Sequence, residues 1–294
     1  MKNFNDIYEK IYKDSFLQLE NARKQLNNEA FVVFLVASII GLILSINTKN
    51  IFFIFIALPI LVIFFIFSSK NRKYKGLYKE KIIKVFVKEY SPTLEFFPDS
   101  GISSGAYYDA EFESFDRYHT EDLITGTLEN GCKINMAEFK TQTKSEDEDG
   151  HVTYYTIFHG LFAVIELDRY IPEKIKIRKN EISLFNSKEK VEMDSSEFEK
   201  IFNVYAIDKI KAMQLLTSDV MEMFINFKEE SKIVPEITIK NNNLFIRFAT
   251  GDIFEASILK KSLDFDTLLK YYKIINFTLD LTEKIIKNIK EADL

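Results

Sequence analysis

Between Ala30 and Phe67 the chain carries two apolar runs, Ala30–Ile46 and Ile51–Phe67, separated by Asn47-Thr48-Lys49-Asn50. Neither run contains an Asp, Glu, Lys or Arg. At about 1.5 Å per residue each helix is roughly 25 Å long, against a bilayer core of about 30 Å. The uncharged flanks Asn47, Thr48, Ser68 and Ser69 bring each close to a full span. The pattern predicts a transmembrane hairpin with a short connector. Ala37, Ser38, Gly41 and Ser45 give the first span small residues where another helix can approach closely, so the hairpin is also a candidate surface for a homo-oligomer. Pro59 lies inside the second span, where a neighbouring helix can absorb the freed carbonyl. A buried hairpin of a soluble protein is the alternative, but two adjacent charge-free runs of this length are uncommon in soluble cores. A cleaved signal peptide fits poorly, because the first run starts late and a second follows at once.

Lys and Arg near the span ends set the orientation. Arg23 and Lys24 precede the first span, and Lys70, Arg72, Lys73 and Lys75 follow the second. The connector has only Lys49. Both termini are therefore expected in the cytoplasm.

Behind the hairpin lie roughly 225 residues, enough for one large domain or two small ones. The single Cys, Cys132, excludes an internal disulfide. A net charge of −5 with scattered basic residues argues against a nucleic-acid partner.

Phe4, Ile7, Tyr8, Ile11, Phe16, Leu19 and Leu26 recur at helical spacing, which predicts an amphipathic helix over residues 1–29. Tyr74 to Tyr90 reads as a second one, ended by Ser91-Pro92 because the residue before proline avoids the helical region. The two are expected to pack on each other as a stalk. From residue 93 strands dominate. Leu123–Leu128 leads into Asn130-Gly131, a strong hairpin signal, and Cys132–Thr143 continues the meander. Val152–Leu167 follows, with a bulge expected at His159-Gly160. Shorter strands are predicted at Lys174–Arg178, Glu181–Phe185 and Lys190–Met193. Helices return at Ile207–Leu216 and Thr217–Glu229. Glu236–Lys240 and Leu244–Ala249 flank Asn241-Asn242-Asn243 as an expected hairpin, Ile253–Ile258 adds a strand, and an amphipathic helix runs from Asp264 to about Lys290. The blocks of strands and helices predict an α+β fold. Its expected parts are a cytoplasmic helix (1–29), the transmembrane hairpin (30–69), a stalk helix (70–92) and a mainly antiparallel cytoplasmic domain (93–294).

Several segments resemble a bacterial family of two-pass membrane proteins classed only as a domain of unknown function. They are Tyr118–Gly126, Met136-Ala137-Glu138, Ile157–Phe162, Phe198–Tyr205, Leu215-Leu216-Thr217 and Phe254-Glu255, covering most of the chain after the hairpin. The resemblance implies a bacterial inner-membrane protein with a cytoplasmic domain and brings no catalytic residues with it.

The densest polar cluster is Asp116, Arg117, Tyr118, His119, Glu121 and Asp122. Paired carboxylates beside a His suit general acid–base work or a hard cation. The bland reading is a loop leading into the next strand, with Arg117 paired to a neighbouring acid. No zinc, hydrolase or P-loop signature accompanies the cluster, so neither a metal nor a cofactor is expected. Strand alternation directs Glu138 to solvent; the other reading is a buried acid. His159 is expected half-buried in its strand. Ser145–Gly150 fits only part of a calcium loop, since Thr156 stands where a bidentate Glu is needed, and a solvated hairpin tip is expected there. His119, Glu121, Asp122 and Glu138 are thus the candidate site residues. Two functions fit: a membrane-anchored interaction or scaffold module that binds lipid and another protein, or a membrane-tethered hydrolase or metal-dependent enzyme centred on Asp116–Asp122. Convergence of the four candidates in one pocket would favour the enzyme, and scatter the module.

Overall fold

A computed structural model describes residues 3–48, 68–180, 189–256 and 264–292. The second apolar run, the connector beyond Thr48 and the predicted strand at Glu181–Phe185 lie outside them. The chain divides into two compact units, one of residues 1–90 and 254–265 and the other of residues 91–253 and 266–294.

The first unit is helical. Asn3 caps helix α1 (Phe4–Ile11), its side chain accepting from the Asn5 N–H at 3.0 Å, and Phe4, Ile7 and Ile11 form the buried stripe that the sequence spacing predicts. A π-helical turn at Tyr12–Phe16 leads into α2 (Leu17–Thr48). Residues 68–78 are helical and continue through a second π-turn at Lys79–Ile83 into α3 (Lys84–Tyr90), which stops just before Ser91-Pro92. Tyr74, Tyr78, Ile82, Phe86 and Tyr90 are buried. Lys10 donates to Glu89 at 2.6 Å and Lys70 pairs with Glu29, so the amphipathic helices do pack on each other. α2 is the exception to this burial. Phe31, Val32, Leu35, Val36, Ile39, Ile40, Leu42 and Ile43 are all exposed, and only 17% of the most apolar window is buried.

The second unit is built on a sheet of seven described strands, all paired antiparallel. β1 (Leu94–Phe97), β2 (Arg117–Thr127), β3 (Lys133–Glu146) and β4 (Val152–Lys179) follow one another across it. β5 (Lys190–Val191) and β6 (Phe202–Ala206) extend the far end of β4, and β7 (Pro235–Phe248) pairs along β4 from Leu161 to Ile177. Helix α4 (Ser104–Asp109) lies between β1 and β2. Helices α5 (Ser196–Glu199), α6 (Lys209–Leu215), α7 (Ser218–Ser231) and α8 (Phe265–Glu291) complete the chain.

Both faces of the sheet are covered. On one, Tyr107 of α4 stacks on Phe139 at 4.7 Å, within a cluster that includes Ala137, Phe158, Phe162 and Phe245. On the other, Phe248 meets Phe227 of α7 and Phe277 of α8 at 5.7 and 6.0 Å. These aromatic pairs each add about 0.5–1.5 kcal/mol beyond their buried area.

Three local expectations change. The Asn241-Asn242-Asn243 triplet does not turn a hairpin: β7 runs straight through it, with Asn241 at φ 58 in a register irregularity. Asn tolerates that left-handed conformation, so the same chemistry that favours a turn also serves a bulge. The bulge on β4 opposite Thr141 and Gln142 falls at Ile157, not at His159-Gly160. Gly160 is there for space, since a Cβ would sit 1.9 Å from the Phe248 carbonyl oxygen. Residues 253–256 are not a strand.

The loop after α4 is clasped to the sheet. The Glu111 carboxylate accepts from Lys174, Lys176 and Lys240 at 2.9–3.0 Å. Arg178 donates to the Glu111 carbonyl oxygen at 3.2 Å and to Thr238 Oγ1 at 2.8 Å, while the Thr238 hydroxyl donates to the Ala110 carbonyl oxygen at 2.6 Å. Burial raises the Glu111 carboxyl, but hydrogen bonds from Lys240, Lys176 and Lys174 outweigh it and hold the group at about 2 against an ordinary 4.5. A depressed carboxyl adds stability above its ordinary value and loses it as pH falls through the folded one. Acid titration of the unfolding midpoint should show a loss from about pH 4.5 toward 2 that Glu111→Gln removes. An acid limb that is unchanged in Glu111→Gln would show that the clasp adds nothing.

Candidate carboxylate site

Asn130-Gly131 turns the β2–β3 hairpin, with Gly131 at φ 87 and the Leu128 N–H donating to the Cys132 carbonyl oxygen at 2.8 Å. From there Thr127 faces Lys133 and Ile124 faces Met136. The register then slips by one residue, so that Glu121, rather than Asp122, faces Glu138. Asp122 occupies the bulge at φ 60. Its N–H is taken by the Pro98 carbonyl oxygen at 3.1 Å, and the next N–H by Ser100 at 3.1 Å. The bulge thus brings a third carboxylate to the Glu121–Glu138 pair.

Oxygens of Glu121, Asp122 and Glu138 all lie within 4.8 Å of one another. Asp122 is wholly buried and Glu138 is 4% exposed. The expectation that Glu138 points to solvent is therefore corrected. Residues paired across a ladder point to the same face, so Glu138 stands in a row with Leu161 and Phe248, on the helix-covered side. Alternation does place Glu138 opposite Phe139; what fails is the premise that one face of the sheet is wet. One Glu138 oxygen accepts the Ile253 N–H at 2.7 Å.

The chain leaving β7 folds back over this site. The Gly251 N–H donates to the His159 carbonyl oxygen at 3.0 Å, and Asp252 meets His159 Nε2 at 2.7 Å. His119 Nε2 lies 3.4 Å from Glu121. His119, Glu121, Glu138, His159 and Asp252, with Phe139 and Lys140, line a cavity of about 130 Å³. Three of the four sequence candidates therefore line one pocket, and the fourth, Asp122, joins two of them. His159 and Asp252 were not expected in the site. The signal for them was weak, because the link between β4 and the segment after β7 is not local in sequence.

Glu121, Asp122 and Glu138 supply the oxygen donors that Mg²⁺, Ca²⁺ or Mn²⁺ prefers. The His159–Asp252 pair beside them has the form of a base oriented by an acid.

Asp116 and Arg117 make local contacts instead of joining the pocket. The Asp116–Asp122 cluster begins β2 rather than forming a loop. Asp116 accepts from the Lys144 N–H at 2.6 Å and the Thr143 hydroxyl at 3.2 Å. The Arg117 guanidinium lies over the Tyr154 ring at 3.5 Å, a cation–π contact, and the expected ion pair is absent among the described residues. Cys132 is buried, and burial raises its thiol, which makes it a poor nucleophile. Asp147, in the acidic loop, accepts from the Asp149 and His151 N–H groups at 3.1 and 2.8 Å, an ordinary tip turn.

The backbone and carboxylate roles of Asp122 separate by substitution. Asn tolerates φ 60 and keeps the shape, whereas Val does not. Asp122→Val should lose about 1–3 kcal/mol of unfolding free energy relative to Asp122→Asn. Equal denaturant midpoints for the two variants would show that the bulge carries no strain.

Comparison with known proteins extends to part of the chain. No curated protein matches it. Among solved structures it is similar to the mycobacterial trehalose monomycolate transport factor A, TtfA, with a TM-score of 0.37 and 5% identity, over 66% of this chain and 86% of that one. Residues 156–287, from β4 into α8, match the family described as Protein of unknown function (DUF3137).

Proposed function

We propose that the chain is a membrane-anchored module of the bacterial inner membrane, with both termini cytoplasmic, whose sheet unit binds a partner. The observation that carries this reading is α2. Its eight exposed large apolar side chains sit on a helix whose best window has a mean hydropathy of 1.9. Leaving that many large side chains half in water costs on the order of 10 kcal/mol, comparable to the whole stability of a domain. Lipid supplies the missing contact. The charge bias of Arg23, Lys24, Lys70, Arg72, Lys73 and Lys75 gives the orientation. The full chain should stay with the membrane pellet after alkaline carbonate washing. A reporter active only outside the cytoplasm should be silent when fused at Leu294. Release into the supernatant, or reporter signal from Leu294, overturns the anchor or the orientation respectively.

A second reading concerns the carboxylate site and is favoured by its convergence: Glu121, Asp122 and Glu138 hold a divalent cation. A cavity of about 130 Å³ suits an ion with its waters better than an organic substrate, which needs about 300 Å³ or more. In this reading the metal-dependent enzyme becomes, in its resting form, a cation-binding module. Full-length protein in lipid nanodiscs should melt higher when Mg²⁺, Ca²⁺ or Mn²⁺ is added at matched ionic strength. The stabilisation should reach about 2.7 kcal/mol at a hundred times the dissociation constant. A double variant Glu121→Gln, Glu138→Gln should lose the shift. Melting that none of the three cations raises excludes the site.

A further inference from the structure

Helices α7 and α8 are antiparallel, since Asp219 at the start of α7 pairs with Lys284 late in α8, and Glu230 at the end of α7 pairs with Lys273, 3.3 Å away, further back on α8. The two ion pairs bracket a groove of about 540 Å³ between the helices, backed by the core residues Phe227 and Phe277. Met223, Phe227, Leu269 and Phe277 give it an apolar floor. Four acids and two lysines line it, and both lysines are taken by Asp219 and Glu230. That leaves Glu222 and Asp280, which make no ion pair among the described residues. Asp280 is half-buried, and burial alone raises its carboxyl.

We infer that this groove docks a basic amphipathic helix of a partner protein, whose apolar face meets the floor and whose Lys or Arg residues reach Glu222 and Asp280. The inference rests on the reading of the chain as an interaction module and names the class of partner. Two observations favour a helix. The bracketed length, from Asp219 to Glu230, is about 17 Å at 1.5 Å per residue, which matches a helix of three turns. A valley between two antiparallel helices accepts a third by the same ridge-into-groove packing that holds the pair. The charge is complementary as well: Glu222 and Asp280 make no ion pair among the described residues and stand beside the apolar floor, where a basic helix can pair with them.

The test uses the full chain in neutral phosphatidylcholine nanodiscs, with a fluorophore on Asn226→Cys in the groove and Cys132 replaced by Ala. The probe is an 18-residue Leu/Lys helical peptide carrying a quencher, and the control is a Leu/Glu peptide of the same pattern, with signal from empty discs subtracted. The Leu/Lys peptide should quench saturably and the Leu/Glu peptide should not. Glu222→Lys with Asp280→Lys should weaken binding by about tenfold, or about 1.4 kcal/mol. Glu222→Gln with Asp280→Asn, which keeps the shape of the groove, should weaken it severalfold at an unchanged melting midpoint. Equal quenching by both peptides overturns the inference, as does full affinity in the neutral double variant. Displacement of the peptide by spermidine at similar concentration would mean a small-amine site and overturns it too. Quenching by nitroxide lipid in the disc, with no peptide present, would mean that the membrane occupies the groove, with the same consequence. Failure of the chain to enter discs at all would instead count against the anchor, and the two failures are therefore distinguishable.

Discussion

The second unit depends on one unbroken strand. β4 runs for 28 residues, and β3, β6 and β7 all take their backbone hydrogen bonds from it. Between Leu161 and Glu166 both of its edges are occupied, by β3 and by β7. The end of β7 can close on it at Gly160 only because that residue has no Cβ. The same approach brings the segment after β7 onto β4, where Gly251 and Asp252 meet His159. The site is thus a consequence of strand pairing: β2 and β3 deliver the carboxylates, while β4 and the exit of β7 deliver the imidazole and its acid.

Among the described residues of the second unit, two buried clusters of charge differ in composition. On the Tyr107 face, Arg247 donates to the Tyr107 hydroxyl at 2.7 Å, to Glu236 at 2.7 Å and to Glu113, and it lies over the Phe112 ring at 4.4 Å. Burial lowers the Arg247 guanidinium, but Glu236, Tyr107 and Glu113 outweigh it and raise the group. Burial lowers Arg178 to about 10, still charged at neutral pH. In that network Glu113 and Glu236 answer Arg247, and Arg178 is satisfied by carbonyl oxygens and the Thr238 hydroxyl, as buried charges require. The carboxylate site brings three acids within 4.8 Å of one another. A fold that only needed a filled sheet would place apolar residues at Glu138 and Asp122, so the concentration of acid there is the stronger pointer to function.

Much of this was legible in chain order. The helical spacing of Phe4 to Leu26 and of Asp264 to Lys290, the stop at Ser91-Pro92 and the Asn130-Gly131 hairpin all have local causes. The pairing of the β2 and β3 carboxylates was legible to within one residue, while His159 and Asp252 were not. Counting outward from Thr127 opposite Lys133 puts Asp122 opposite Glu138, and only the bulge moves Glu121 into that position. A bulge depends on what the rest of the chain does, here on Pro98 and Ser100 taking the N–H groups that leave the ladder. The Asn triplet erred for the reverse reason. Its residues favour left-handed backbone, and whether that reverses the chain or only kinks it is decided by the partner strand, β4. Glu138 was misread because alternation separates two faces without saying which of them is covered. The second covering layer, α7 and α8, lies about a hundred residues further on.

Space bounds what the carboxylate site can do. Water takes about 30 Å³ in the liquid, so a cavity of about 130 Å³ holds an ion and a few waters. Turnover of an organic substrate would need the Ala249–Ile253 segment to move aside. That segment is held by the Gly251 and Ile253 N–H groups and by Asp252 on His159, and of these only the contacts to Glu138 and Asp252 involve ionisable side chains. A carboxylate has two oxygens, so Glu138 can accept the Ile253 N–H on one and still present the other to Glu121 and Asp122. The chain leaving β7 is thus tied to the carboxylate cluster through the Glu138 side chain.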